Sequence, residues 1–320
     1  MISFLRTLFF SAVLPSRKAV DSPILSVRDI DALGVELADI FATKSLKLLA
    51  NPRASESIKQ GEQASHYLGS GMEYDESRVY QQGDEVRRIN WRLMARTGKA
   101  YTKLFLEERQ ESWTIILDKR QSMRFGTRKQ LKVQQAIKAM GFFAWQAEKL
   151  GLPVELICMN KEVKTSPMYE GKGAFESLIA RANMPCPPLQ VVGEPSLNDE
   201  LLACQRRLQA GSRLMVVSDF HDLDDRTISL LVSLQQKVMV SVVLIFDAVE
   251  KNLPNLSGLK LQTMNGVEIA DLSANQRQDY NQWAEHYFVN LTTKLASIGV
   301  VVRELSTTDN LIKLTEQYTQ

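Results

Sequence analysis

The eight residues ILDKRQSM, at positions 116–123, close a short apolar run and then set an aspartate, two cations and a serine in quick succession. An aspartate followed closely by small hydroxyl residues at a strand end suits a divalent ion, but here Lys119 and Arg120 intervene. Three readings stand: an ion site that has been lost, one rebuilt around a side-chain cation, and no site at all.

The run that leads into this stretch, WTIILD (113–118), reads as a buried strand, and the residues after it, 127–151, read as a long helix stopped by Gly151. The alternation continues: a strand at 153–160, a short helix near 174–183, a helix at 196–211, a strand at 212–219, a helix around 225–236 and a strand at 237–247. A hairpin turning at Asn265-Gly266 within 259–272, a helix at 275–298, a strand at 300–305 and a last helix complete the pattern. Strands that are apolar throughout and separated by helices predict a mostly parallel sheet covered on both faces, a doubly wound α/β domain over 111–320.

Upstream, apolar residues at 26–50 recur at spacings of three and four, which predicts one or two amphipathic helices. Residues 67–103 are dense in charge, glycine and aromatics, and are expected to be extended segments and turns, with turns at QQGDEV and RTGK. The chain is therefore expected to divide into an N-terminal arm at 1–25, a smaller helical and β-rich module at 26–110, and the α/β domain. The first fifteen residues hold an apolar stretch too short for the about 20 residues of a membrane span. They read as an amphipathic arm packing on the body or a partner, with peripheral membrane contact as the alternative.

The 39 basic and 37 acidic residues nearly cancel, so no global field recruits nucleic acid or an anionic surface. Three scattered cysteines form neither a zinc pattern nor a disulfide framework, which fits a reducing cytoplasm. Three scattered histidines leave almost no material for a hydrolytic triad.

In a doubly wound sheet, ligands gather beyond the carboxyl ends of the strands. Asp118 with Ser122, Ser218 and Asp219 of VVSDF, and Ser196 at a helix start all fall there. Hard cations such as Mg2+ take oxygen ligands of this kind; Asp and Ser at such junctions also serve as helix caps and turn residues.

The stretch from GSGMEYDESRVYQQGDEVRRINWRLMARTGK to ILDKRQSMRFG, with Arg78, Tyr80, Gly83, Asp84, Arg87, Ile89, Trp91, Ala95 and Arg96 at their spacings, resembles the signature of the DUF58 proteins, a bacterial family with a von Willebrand factor A-like domain. The resemblance implies a metal-ion-dependent adhesion site using Asp118, two hydroxyls after it, a Thr or Ser on a later loop, and Asp219. The chain matches at Asp118, Ser122 and Asp219, and at Ser196 for the later loop, but carries Arg120 in place of the first hydroxyl. It also implies a MoxR-type AAA+ ATPase and other A-domain proteins as partners in chaperone-like assembly, with no catalytic activity.

Arg120 has two readings. A guanidinium is a permanent cation shaped for carboxylates, so it can bridge Asp118 and Asp219 where an ion would sit; or it points to solvent and leaves a weak Mg2+ site. The balance favours a weakened or absent ion. Between Arg78 and Lys103, seven basic residues against two acidic ones, interleaved with Tyr80, Trp91 and Tyr101, have the composition of a nucleic-acid surface. The preferred reading pairs Arg87, Arg92 and Arg96 with Asp84, Glu107, Glu108 or Glu111, packs Trp91 on the domain, and makes the segment a polar platform for a protein partner. The expected function is thus non-enzymatic; the alternative is a metal-dependent hydrolase or phosphoryl-transfer enzyme using Asp118 and Asp219.

Overall fold

The computed structural model describes residues 23–43, 68–81, 86, 89–106, 111–127, 130–186, 193–255, 261–262, 268–269 and 273–316. The N-terminal arm through residue 22 and signature residues Gly83, Asp84 and Arg87 lie outside them. The described residues fall into two compact units, one holding those at 68–106 and the other those at 23–43 and 111–316. Among the described residues no helix is long and apolar enough to cross a membrane.

The larger unit is built on a six-stranded sheet of β3 (Trp113–Asp118), β4 (Val154–Met159), β5 (Val163–Thr165), β6 (Arg213–Ser218), β7 (Met239–Phe246) and β10 (Val301–Ser306), in the order β10-β7-β6-β3-β4-β5. All pairs are parallel except β4 with β5, which is antiparallel. This is the predicted doubly wound α/β architecture with one added edge strand. Sequence reading missed β5 because its three residues are exposed and carry no apolar run.

The central strands β3 and β6 are buried along their whole length, and their side chains alternate between two cores. Ile115, Leu117, Met215 and Val217 face one core, while Ile116, Leu214 and Val216 face the other. Helices α3 (Lys132–Leu150) and α4 (Ala174–Ala182) contribute to the first; α5 (Leu197–Arg207), α6 (Asp225–Gln235) and α8 (Ala274–Ser297) contribute to the second. The long helix α3 ends at Gly151, whose φ of 67° is the left-handed cap that glycine supplies without strain. The short helices α7 (Ala248–Lys251) and α9 (Lys313–Glu316) follow β7 and β10. Strands β8 (Leu261–Gln262) and β9 (Glu268–Ile269) pair antiparallel as the predicted hairpin requires, its turn lying outside the described residues.

Helix α1 (Val27–Thr43) corrects the predicted division at residue 26, which assigned it to the signature module. It buries Leu33, Leu37 and Ile40 in the first core, and Phe41 meets Phe142 with ring centroids 5.1 Å apart. Apolar side chains at i, i+4 and i+7 share one helix face, and burying each is worth roughly 1.5–3 kcal/mol. At its start, Ser26 and Asp29 exchange reciprocal bonds, the Ser26 N–H donating to Asp29 Oδ2 at 2.9 Å and the Asp29 N–H to Ser26 Oγ at 3.2 Å. Gly141 marks where α1, α3 and α4 meet, since a Cβ there would stand 3.1 Å from Ile179 and 3.2 Å from Leu33.

The smaller unit is an antiparallel pair, β1 (Leu68–Val79) with β2 (Tyr101–Leu106), in which Arg78 lies opposite Thr102. Between them stands α2 (Trp91–Thr97), in a segment predicted to be mostly extended chain and turns. Its signals are its caps: Asn90 Oδ1 accepts from the Leu93 N–H at 3.1 Å, and Gly98, within the predicted RTGK turn, takes a φ of 71°. Tyr80 is half-buried, and its N–H donates to Ala100 O at 3.0 Å.

Candidate functional site

Strand order reverses between β3 and β6: the chain runs outward one way through β4 and β5 and the other way through β7 and β10. Crevices form beyond the carboxyl ends of strands at such a point. Asp118 ends β3, and Ser218 ends β6 with Asp219 next. The predicted pair of aspartates therefore does meet at one edge.

The two cations of ILDKRQSM go opposite ways. Lys119 is buried, and its ammonium donates to Ala182 O at 2.7 Å and Met184 O at 2.8 Å, tying the loop to the end of α4. Burial pulls the pKa of this amine down. Arg120 turns into the crevice. Its Nε donates to Asp118 Oδ1 at 3.0 Å and its Nη2 to Asp118 Oδ2 at 2.8 Å, a bidentate pair. The backbone N–H of Arg120 and the hydroxyl of Ser218 also donate to Asp118, at 2.9 and 2.7 Å.

On its other side Arg120 meets Asp222, with Nη2 to Oδ1 at 3.0 Å and Nη1 to Oδ2. The predicted bridge from Asp118 to Asp219 is thus corrected: the second carboxylate is Asp222. Nη1 also donates to Pro195 O at 3.4 Å, which brings in the loop before α5. Burial disfavours the charged guanidinium, but Asp118 and Asp222 outweigh it and raise the pKa further; Asp222 is held below the usual carboxylate range by the same contact, against its own burial.

Asp219 has a cation of its own. Lys132, the first residue of α3, donates to Asp219 Oδ2 at 2.8 Å and to Glu250 Oε1 at 2.6 Å. Ser122 Oγ donates to Asp219 Oδ1 at 3.2 Å, and His221 Nδ1 stands 3.1 Å from the same oxygen. One ammonium thus serves a buried carboxylate and a half-buried one. Burial works against ionisation at Asp219, yet Lys132 and then His221 more than offset it and hold the carboxyl well below its ordinary range. Glu250 is pushed up by burial despite Lys132. His221 loses basicity to burial and regains more from Asp219, ending raised.

Of the predicted ion-holding residues, Asp118, Ser122 and Asp219 come together. Ser196 serves as the N-cap of α5, its Oγ accepting from the Asn198 N–H at 3.1 Å. The turn that follows Arg120 is fastened by Glu194, which accepts from the Gln121 N–H at 2.9 Å and from Arg124 Nη2 at 3.4 Å. Among the described residues no group of three or more His, Cys, Asp and Glu is placed to hold an ion.

Lys132, Asp222, His221 and Glu250 were not anticipated. The sequence reading starts this helix at 127, whereas the structure makes Lys132 its first residue, the end whose dipole disfavours positive charge. Such a lysine needs a carboxylate nearby, and the helix starts beside two strand ends.

In the smaller unit Trp91 is 61% exposed, and Arg96 is exposed as well. Glu111, one of the acids expected to pair with the signature arginines, instead meets Arg213 at 3.0 Å.

The uncharacterized protein Rv1480 of Mycobacterium tuberculosis (strain ATCC 25618 / H37Rv) is 23% identical over 276 residues, covering 83% of this chain and 84% of its own length. The uncharacterized protein Mb1516 of Mycobacterium bovis (strain ATCC BAA-935 / AF2122/97) matches to the same extent. Among solved structures, the conserved hypothetical protein BatB from Bacteroides thetaiotaomicron matches at 13% identity and a TM-score of 0.39, over 59% of this chain and 98% of its own. A von Willebrand factor type A protein from Catenulispora acidiphila matches at 9% and 0.33, over 69% and 42%. The family described as protein of unknown function DUF58 matches residues 76–288, from the signature hairpin through the site at β3 and β6 into α8, and the chain belongs to that family.

Proposed function

We propose that this chain is a cytoplasmic, non-enzymatic interaction protein whose strand-end crevice is a degenerate metal-ion-dependent adhesion site, and that it acts with a MoxR-like AAA+ ATPase in assembly of other proteins. One observation carries the reading: each of the two aspartates an ion would bridge is already paired with a buried cation of the chain itself, Asp118 with Arg120 and Asp219 with Lys132. Magnesium takes near-octahedral oxygen ligands at about 2.0–2.1 Å. It fits this donor set poorly, because Asp118 is already engaged by Arg120 and Ser218 and a second positive charge stands at Asp219. The ATPase partner rests on the family resemblance, and the exposed Trp91 and Arg96 of the signature unit offer it a surface.

The test is a magnesium titration followed by thermal unfolding, beside co-elution with a purified MoxR-like ATPase. The wild type should show no saturable shift at millimolar Mg2+, while an Arg120→Ser/Lys132→Ser protein, relieved of both cations, should show one. A saturable shift in the wild type would overturn the degenerate site. Absence of co-elution would overturn the partner.

A further inference from the structure

Four carboxylates and two cations share the crevice, and they differ in how deeply they are held. The side chains of Asp118 and Asp219 are 0% and 6% exposed, those of Arg120 and Lys132 4% and 3%, and that of Glu250 15%. Asp222 is 31% exposed. Among the described residues its carboxylate hydrogen-bonds to Arg120 alone, with His221 Nδ1 at 3.8 Å. Arg120 would remain anchored without Asp222, since Nε and Nη2 are fixed on Asp118 and Nη1 reaches Pro195 O. The inner half of this three-part bridge is built in; its outer half faces solvent and can exchange.

We propose that Asp222 is an internal occupant of a carboxylate-binding site on Arg120, and that the acidic side chain of a protein partner binds by replacing it. This rests on the interaction role above and names the chemistry that the partner must bring. A guanidinium already oriented by Asp118 presents its remaining edge in the planar fork that a carboxylate accepts bidentately. Asp222 competes as a tethered group at high effective concentration, so a free carboxylate alone binds the wild type weakly. A partner with further contacts overcomes that competition, which makes the site selective for an acid presented on a docked surface.

The probe is a glycine–serine peptide with one central aspartate, and its asparagine counterpart is the control. Binding is followed by NMR at the Arg120 Nε–H. Asp222→Ala should bind the aspartate peptide at least tenfold more tightly than the wild type and should ignore the asparagine peptide. Asp222→Asn, nearly isosteric, replaces it if the alanine protein does not fold. Equal binding by variant and wild type, or equal binding of the two peptides, overturns the exchange. Co-elution of the ATPase is read separately. Co-elution without the peptide gain overturns the exchange and leaves the partner standing; the gain without co-elution does the reverse.

Discussion

Asp118 and Asp219 end up about one strand apart, each beside a buried cation, yet the two halves are built on different principles. Around Asp118 the cation is a planar fork: both carboxylate oxygens are matched by separate N–H groups, and the opposite edge is matched again by Asp222. Around Asp219 the cation is a point charge set between two acids that compete for it. The arginine half is fixed by geometry and the lysine half by electrostatics. They should therefore fail differently.

The largest effect is expected at the lysine. Lys132→Met keeps the length and removes the charge, leaving buried Asp219 and half-buried Glu250 without their cation; breaking a buried pair this way costs about 3–5 kcal/mol. Urea denaturation measures it, and a loss under about 1 kcal/mol would mean that the two halves do not differ as argued. A smaller effect should appear on acidification. Asp219 and Asp222 have lower pKa values folded than unfolded, so their contribution is complete above the unfolded value of about 3.9 and drains as pH falls below it. In Lys132→Met the Asp219 share of that acid loss should shrink to what His221 sustains, while the Asp222 share persists; an unchanged acid limb would place the depression elsewhere. The smallest effect belongs to the link between halves. Ser122→Ala removes one 3.2 Å hydrogen bond to Asp219 and should cost about 0.5–1.5 kcal/mol. A larger loss in the same denaturation would show that the halves form one network.

The part of the site that could be read in advance was the part made by strands. Runs such as WTIILD and RLMVVS are apolar on both faces because they lie in the middle of a covered sheet, and what ends such a strand is fixed once the strand is. Asp118, Ser122 and Asp219 followed from that alone. Lys132 and Glu250 lie 87 and 31 residues from Asp219 on two helices, and no local pattern says that both will turn toward it. Asp222 was in plain view, but Asp219, Asp222, Asp224 and Asp225 crowd one turn, and composition cannot say which faces Arg120. The structure resolves them by role: Asp222 pairs with Arg120, and Asp224 caps α6 by accepting from the Thr227 N–H at 2.7 Å. Helix α2 escaped notice because seven residues are too few to show a period, so only its caps announce it.

Between the two acids of the β6 loop stands Phe220, whose φ of 50° is rare for a residue with a side chain. Its ring is fully buried in the second core, and its N–H donates to Ser218 Oγ at 3.1 Å. The same backbone turn that sends the ring inward leaves His221 and Asp222 at the rim. A glycine there would adopt the conformation without strain, but it would have nothing to sink into the core. The aim of a cluster made entirely of charges is thus set by a hydrocarbon ring: the loop is pinned by oil, and the acid that meets the solvent is held in place by the residue that flees it.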